Sequence, residues 1–214
     1  YVVQDMTENM RKFSKHWKEI GVRFDCIFTG YCCSEEQIRL ACEFVRCFAD
    51  DGTLVVVDPV LGDNGKLYGG FTDAHIGAMR ELCALADWTT PNRTEAALLA
   101  GLPFSSSDEA LLDAQSAENT VVTSIRSEGK IGYLARLGGS VHRIDKDYVD
   151  LSLHGAGDVF TSALCGELLS GRDAPEALDR AADFCDRAIH ETAARQPGHW
   201  YGLAFEPVLK GWRI

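Results

Sequence analysis

Short runs of apolar residues alternate with amphipathic segments along most of this chain, and this alternation restricts its fold more than any other feature. Residues 53–57 are apolar or β-branched at every position, so the strand that they predict would be buried on both faces. Such a run is typical of a central strand in a parallel sheet. Because parallel strands need crossover connections, the amphipathic segments between the strands are expected to be helices that pack on the sheet.

The same pattern predicts the order of the elements. Strands are expected at residues 26–28, 53–57, 88–89 and 120–124, and residues 131–137 and 141–144 are expected to pair as a hairpin. Helices are expected at residues 6–20, 34–48, 72–82, 96–100, 108–117 and 175–194, with one more that opens at residue 155. The apolar stripe from Met6 to Trp17 is expected to belong to the core. Together these elements predict a mostly parallel sheet with helices on both faces and a late β-hairpin.

Composition excludes several classes of protein. A chain of 214 residues is long enough to bury one sizeable core, and residues 1–214 are expected to form a single domain. The formal net charge of −11 argues against a nucleic-acid partner. No apolar run approaches the roughly 20 residues that a membrane-spanning helix needs. The eight cysteines include no C-x-x-C pair, so we expect reduced thiols and a cytoplasmic location.

Acidic residues follow the strand at residues 53–57, at the edge where an open parallel sheet binds its ligands. Asp58 and Asp63 lie five positions apart, in a segment that also contains Pro59 and Gly62. One or two carboxylates, completed by waters and phosphate oxygens, are a usual environment for Mg²⁺. The alternative is a local role, in which Asp58 caps a turn and Asp63 belongs to an Asp-Asn-Gly turn.

Polar residues also follow the next two strands. Asn92 and Glu95 lie three positions apart at the start of a predicted helix, so both side chains could face one ligand. Their alternative role is a capping box, in which Asn92 caps the helix and Glu95 is its partner. Thr123 and Ser124 are two hydroxyl side chains at a strand end, where they could donate hydrogen bonds to a nucleotide phosphate, although isolated hydroxyls are common in loops.

The segment Gly155-Ala156-Gly157-Asp158 is the strongest local signal. Its glycines precede a long apolar helix, whose N-terminus offers unpaired N–H groups and a partial positive charge to a phosphate. Asp158 lies in the first turn, within reach of a group bound there; a simple glycine-bounded helix start is the alternative. The chain has neither a G-x-x-x-x-G-K-[ST] loop nor a G-x-G-x-x-G after a strand. A phosphate-binding enzyme that lacks the lysine of the first motif would have to neutralise phosphate charge with a metal and the helix N-terminus.

These segments, in this order, resemble the ribokinase-like superfamily and, within it, the vitamin B6 kinases. The resemblance is carried by residues 29–31, 58–68, 90–95 and 154–158, and by residues 201–206 near the end, which begin with Tyr201. The run from Asp58 to Tyr68 is its most specific part. The resemblance implies a ribokinase-like three-layer αβα sandwich. It also implies transfer of the γ-phosphoryl group of ATP to the 5′-hydroxymethyl group of pyridoxal, pyridoxamine or pyridoxine.

The resemblance also implies roles for individual residues. Asp158 would be the general base and contact the substrate hydroxyl, and Tyr31 would pack against the pyridine ring. The backbone at Gly155, Ala156 and Gly157 would form the anion hole for the migrating phosphoryl group. The acids associated with Mg²⁺ would be Asp58, Asp63 and Glu95. The ATP contacts would come from Asn92, Glu95, Thr123, Ser124, Gly155 and Gly157. A monovalent cation such as K⁺ near the phosphates and a homodimer of the full chain are further implications.

The sequence departs from the family pattern in three ways. Ala156 stands where the family often has Thr, and Cys32-Cys33 replaces a more usual Leu-Gly. These kinases normally have a further N-terminal segment, so the chain is expected to be N-terminally truncated. Two other functions stay open: a hydroxymethylpyrimidine kinase, which shares the G-[TA]-G-D pattern, and a non-catalytic relative that binds a nucleotide or pyridoxal phosphate.

Overall fold

The computed structural model describes residues 4–151, 154–195 and 202–212, and these form the layered α/β architecture that the sequence predicts. The strands are β1 (Cys26–Thr29), β2 (Leu54–Val57), β3 (Gly62–Asp63), β4 (Lys66–Leu67), β5 (Trp88–Thr89), β6 (Asn119–Ser127), β7 (Lys130–Leu137) and β8 (Ser140–Asp147). The helices are α1 (Thr7–Glu19), α2 (Glu35–Phe48), α3 (Asp73–Cys83), α4 (Arg93–Ala100), α5 (Asp108–Asp113), α6 (Ala156–Leu169), α7 (Ala174–Ala194) and α8 (Glu206–Leu209). Tyr201, which contributed to the resemblance, lies outside the described residues.

Six strands form one sheet in the order β1-β2-β5-β6-β7-β8. Strands β1, β2, β5 and β6 run parallel to one another, and β7 and β8 continue the sheet as antiparallel neighbours. Strands β3 and β4 pair separately as a small antiparallel hairpin. The prediction of a mostly parallel sheet with a late hairpin is therefore confirmed.

Different helices cover the two faces of the sheet. Val55 and Val57 of β2 are buried with residues of α2 and α3, whereas Val56 is buried with residues of α6 and α7. Successive side chains of a strand point to opposite faces, so a strand between two helical layers must be apolar at every position. This burial explains the continuous apolar run at residues 53–57 and confirms the three-layer sandwich.

The segment between Pro59 and Gly70 contains the β3–β4 hairpin. Asn64 and Gly65 join its strands with positive φ angles of 51° and 75°, which a type I′ turn requires at both central positions. The Asp-Asn-Gly turn that was the local interpretation of Asp63 is therefore present.

Four elements differ by three residues or more from their predictions: α4 begins three residues earlier, at Arg93, β8 ends three residues later, at Asp147, and α5 and β6 differ at their ends. Helix α5 ends at Asp113 instead of near residue 117, because the carbonyls of Gln115 and Ala117 accept hydrogen bonds from the Arg136 guanidinium at 2.9 and 2.7 Å. Strand β6 continues to Ser127, three residues past its predicted end, after a register shift between Val122 and Ile125. Long-range partners in the sheet decide both boundaries.

The apolar stripe of α1 is not core, contrary to the prediction. Met6, Phe13 and Ile20 are 41%, 50% and 61% exposed. The helix packs along α2 rather than on the sheet, so only part of its apolar face is covered. Trp17 marks the covered part, because its ring packs edge-on against Phe24 at a centroid distance of 5.6 Å.

All eight cysteines are free, as predicted; five are buried, Cys26 and Cys33 are partly exposed, and Cys47 is exposed. No helix within residues 4–151, 154–195 and 202–212 combines the length and the apolar character needed to cross a membrane.

Candidate active site

Backbone hydrogen bonds hold together the segments that leave the carboxyl ends of the parallel strands. The N–H of Asp58 donates to the carbonyl of Thr29 at 2.9 Å, and the N–H of Thr90 donates to the carbonyl of Val57 at 3.1 Å. The N–H of Thr123 donates to the carbonyl of Pro91 at 2.8 Å. The polar residues after β1, β2 and β5 therefore start from adjacent positions on one edge of the sheet.

Asp58 and Glu95 are two buried acids at this edge. Only 6% of Asp58 and 3% of Glu95 are exposed. Burial raises the pKa of Asp58 to about 7, and the charge of Asp158 adds to this effect. Burial likewise raises the pKa of Glu95 to about 8, and the charge of Asp58 adds to this effect. Hydrogen bonds from backbone N–H groups lower the same pKa but do not offset the burial. Such a pair holds protons near neutral pH unless a cation is bound beside it.

Asn92 and Glu95 form the capping box that was the alternative interpretation. The Asn92 side-chain oxygen accepts hydrogen bonds from the N–H groups of Thr94 and Glu95 at 2.8 and 3.0 Å. The Glu95 carboxylate accepts from the N–H of Asn92 at 2.8 Å and, through its other oxygen, from the N–H of Leu61 at 3.1 Å. The Asn92 amide also donates to the carbonyl of Gly62 at 2.9 Å. The box thus joins α4 to the β2–β3 segment and fixes Glu95 beside Asp58.

The glycine-rich segment forms the N-terminus of α6. Gly155 is the N-cap residue with a φ of 82°, a conformation that favours glycine, and no side chain caps the first turn. A buried hydrogen bond of 2.9 Å between the hydroxyls of Thr90 and Thr161 ties α6 to the end of β5. The Cys185 thiol donates to the carbonyl of Ala156 at 3.5 Å and so ties α7 to the same turn. The N-terminal N–H groups of α6 are therefore held at the carboxyl edge of the sheet.

Asp158 meets Asp58 at this helix start. A Cβ atom placed on Gly157 would lie 3.5 Å from an Asp58 oxygen, and one placed on Gly30 would lie 3.9 Å from an Asp158 oxygen. Asp158 is exposed, whereas Asp58 lies beneath it in the protein. The structure thus brings Asp58 and Glu95, which are distant in sequence, to the α6 N-terminus that carries Asp158.

Asp63 has a different environment from the two buried acids. It is exposed on β3, and its carboxylate accepts hydrogen bonds from the backbone and side-chain N–H groups of Asn64 at 2.8 and 2.9 Å. Within the described part of the chain, no three His, Cys, Asp or Glu side chains form a group able to hold a metal ion. The donors that are present fit a Mg²⁺ ion that takes most of its ligands from phosphate and water.

A cleft of about 710 Å³ opens beside the α6 N-terminus, between β6, β7 and α7, and we call it the β6–α7 cleft. Among the residues predicted to be functional, those that line it are Asp63, Asn92, Thr123, Ser124, Ala156 and Gly157. Its remaining wall includes an apolar part formed by Ile131, Tyr133, Val149, Leu151, Phe160 and Ile189. A cleft with a polar end and an apolar end, and of this volume, suits a ligand the size of a nucleotide.

Thr123 and Ser124 lie at the irregularity of β6. Ser124 has a φ of 60°, which is uncommon for a residue other than glycine, and its side chain is exposed in the β6–α7 cleft. Strained backbone of this kind concentrates at functional positions. The register shift therefore places a hydroxyl in the cleft where regular pairing would have continued.

Tyr31 lies outside the β6–α7 cleft, next to Gly30 and Asp158. It is 62% exposed and stacks on Phe71, with ring centroids 5.9 Å apart, and Phe71 stacks on His75 at 4.6 Å. Tyr68 packs edge-on against the same Phe71 ring at 6.4 Å. Tyr31 thus belongs to an aromatic group that follows Gly30, the glycine that lies close to Asp158.

Several residues of the site were not predicted. Phe71 and His75 lie four positions apart at the start of α3, and this helical spacing was the available signal. Arg126 follows Ser124 by two positions and lines the β6–α7 cleft, as do Tyr133 and Phe160. Alternation along β6 could have indicated Arg126, but nothing local marks Tyr133 or Phe160 as neighbours of Gly157.

Known proteins share this fold. A pyridoxal kinase structure from Lactobacillus plantarum superposes with a TM-score of 0.90 at 30% identity, covering 98% of this chain and 78% of that one. A Bacteroides thetaiotaomicron protein described as a phosphomethylpyrimidine kinase gives a TM-score of 0.92 at 34% identity, covering 99% and 77%. That protein has also been crystallised with pyridoxal. The layered fold is that of the ribokinase-like superfamily.

Sequence comparison defines the family within this class. The family model described as phosphomethylpyrimidine kinase matches residues 12–203, and the chain belongs to this family. A pyridoxine/pyridoxal/pyridoxamine kinase from Bordetella avium is 31% identical over 76% of this chain and 59% of its own length. The predicted resemblance to the vitamin B6 kinases is confirmed. The chain spans between about half and two thirds of the length of the curated relatives that it matches.

Proposed function

We propose that this chain carries the active site of an ATP-dependent kinase that phosphorylates the 5′-hydroxymethyl group of pyridoxal, pyridoxamine or pyridoxine. The observation that carries the proposal is the meeting of Asp58, Glu95 and Asp158 with the α6 N-terminus, beside a cleft of nucleotide size. The Bordetella avium relative is named as a kinase of the three vitamers, and the Bacteroides relative has been crystallised with pyridoxal.

The nucleotide would lie in the β6–α7 cleft. Its base would occupy the apolar part of the cleft beside Phe160 and Ile189, and its phosphates would extend toward Thr123, Ser124 and Gly157. The unpaired N–H groups at the α6 N-terminus would then donate to the phosphoryl group that is transferred. Phosphoryl transfer depends mainly on positioning and on stabilising negative charge, and a fixed helix N-terminus supplies both.

Asp158 would accept the proton of the attacking hydroxyl. It is the only one of the three central acids that is exposed, so a substrate alcohol can reach it. The acceptor would lie on the Tyr31 side of Asp158, with its ring against the exposed aromatic face of that residue. Nucleotide and acceptor would thus bind separately, with the attacking hydroxyl and the leaving oxygen of ADP on opposite sides of the transferred phosphorus, as an in-line transfer requires.

Asp58 and Glu95, with Asp63 at the rim, would hold Mg²⁺ partly through water. A bound Mg²⁺ would neutralise phosphate charge and orient the phosphate chain. Asn92 holds Glu95 in place through the capping box, and its contribution to nucleotide binding would come mainly through this positioning. By the same family resemblance, we propose K⁺ near the phosphates, a homodimer of the full protein and a cytoplasmic location, which eight free thiols support.

A hydroxymethylpyrimidine kinase is the second candidate function, and the description of the matching family model favours it. The test is Mg²⁺-dependent ADP release with pyridoxal, pyridoxamine, pyridoxine and hydroxymethylpyrimidine offered separately. It should be run on this chain and on the full protein that contains it. Turnover with a B6 vitamer and not with the pyrimidine supports the proposal, and the reverse supports the second candidate. Nucleotide binding without turnover of any acceptor by the full protein would show a non-catalytic relative.

A further inference from the structure

Most cationic side chains that line the β6–α7 cleft are already paired. Arg93 forms an ion pair of 2.7 Å with Asp108, and Lys146 is paired with Asp183. Arg126 also lines the cleft, is exposed, and has neither an ion pair nor a hydrogen bond among the described residues. It is therefore the cation in this wall whose charge is available to a ligand.

The position of Arg126 on β6 directs it to the ligand that Ser124 would contact. Ser124 departs from regular strand geometry, but Ile125, which separates it from Arg126, is fully buried, so both neighbours of Ile125 lie on the outward side of the strand. Both Ser124 and Arg126 are exposed in the same cleft. A long arginine side chain on this face can therefore reach a group adjacent to the one that Ser124 contacts.

Tyr148 orders the Arg126 side chain without neutralising it. The guanidinium carbon of Arg126 lies 4.9 Å from the centre of the Tyr148 ring, and the Tyr148 hydroxyl donates to Asp150 at 3.3 Å. Stacking on an aromatic ring restricts a guanidinium while its N–H donors at the edge stay free. An ordered guanidinium with free donors matches the bidentate geometry of a phosphate.

We propose that Arg126 binds the polyphosphate of the nucleotide and that Tyr148 is its positioning residue. This inference rests on the proposed kinase function. The chain has no Walker lysine, and the α6 N-terminus lies beside the acids where the transferred group would be. The other phosphates of the nucleotide need a separate positive charge, and Arg126 supplies it from β6.

The test compares ADP and adenosine as probes, by calorimetric titration of the full protein in the presence of Mg²⁺. Arg126→Gln is expected to weaken ADP binding about tenfold or more, which corresponds to about 1.4 kcal/mol. Adenosine affinity should stay unchanged, because adenosine has no phosphate. The control is Arg46→Gln, which removes the same charge from an exposed position on α2 outside the cleft and should change neither affinity.

Tyr148→Leu is expected to weaken ADP binding less than Arg126→Gln, and the double variant should be no weaker than Arg126→Gln alone. Equal losses for ADP and adenosine, or unchanged ADP affinity, would overturn the role of Arg126 while leaving the kinase function standing. Failure of the unaltered full protein to bind ADP would overturn the proposed function and this inference together. Melting temperatures equal to that of the unaltered protein exclude misfolding as the cause of a loss.

Discussion

Replacing Glu95 by Gln tests whether burial beside Asp58 raises the pKa of Glu95 as the structure implies. The carboxyl group of Glu95 is 3% exposed and accepts hydrogen bonds from the N–H groups of Leu61 and Asn92. A glutamine side chain has nearly the same shape, cannot ionise and offers only one acceptor oxygen. At low pH the variant should therefore be less stable than the unaltered protein by about 1–3 kcal/mol, the usual cost of an unsatisfied buried donor.

The difference in stability should change with pH. Burial, with the charge of Asp58 adding to it, raises the pKa of Glu95 from 4.5 to about 8. Between these values the folded chain keeps a proton that the unfolded chain has released, so its free energy of unfolding falls as pH rises. A tenfold change in proton affinity is about 1.36 kcal/mol, so the whole shift amounts to about 5 kcal/mol. This is an upper limit, because Asp58 titrates in the same range.

The assay is urea unfolding of both proteins without Mg²⁺, at several values between about pH 5 and about pH 8.5. The gap between the unaltered protein and Glu95→Gln should shrink by at least about 2 kcal/mol over this range, and can reverse. Glu118→Gln, at an exposed position, is the matched control and should keep a constant gap. A constant gap for Glu95→Gln as well would refute the reasoning that burial holds a proton on this residue.

Three further changes test other parts of the site. Asp158→Asn should lower kcat at least about 10²-fold; near-normal turnover would remove Asp158 from the mechanism. Phe71→Leu removes the ring behind Tyr31 and should raise KM for the vitamer more than KM for ATP, and an equal rise in both would contradict the proposed acceptor position. Gly132→Ala would place a Cβ atom 1.9 Å from the carbonyl oxygen of Ile144. It should lower stability by about 1–3 kcal/mol in urea unfolding, and no loss would show that β8 moves freely.

Periodicity predicted most of the fold because the burial pattern of each element is local information. The run at residues 53–57 is apolar throughout since helices cover both faces of β2. The same reasoning failed for α1, where an apolar stripe at helical spacing is left partly exposed. A sequence pattern shows which face of a helix is apolar, but the neighbours that cover this face are set by the tertiary arrangement.

The candidate site was predictable where function and local geometry coincide. Gly155 needs a positive φ at a helix start, and that requirement leaves a visible motif. Arg126 and Phe71 leave only an alternation along β6 and a four-residue spacing to His75, because an arginine on a strand and a phenylalanine before a helix have many ordinary roles. Their neighbours, Tyr148 and Tyr31, are 22 and 40 positions away along the chain. Only the fold shows that the members of each pair are in contact.

Asn92 and Glu95 show that a capping box and a functional acid can be the same residues. A capping box needs no burial, since such boxes work at exposed helix ends. Here the Glu95 carboxyl group is buried beside Asp58, which raises the pKa of both groups and costs stability at neutral pH. A cap alone does not account for this cost, whereas a cation bound with the nucleotide would offset it. Mg²⁺ and ATP together should therefore flatten the pH dependence of stability in the unaltered protein, and should do so less in Glu95→Gln, in which only Asp58 of the buried pair remains.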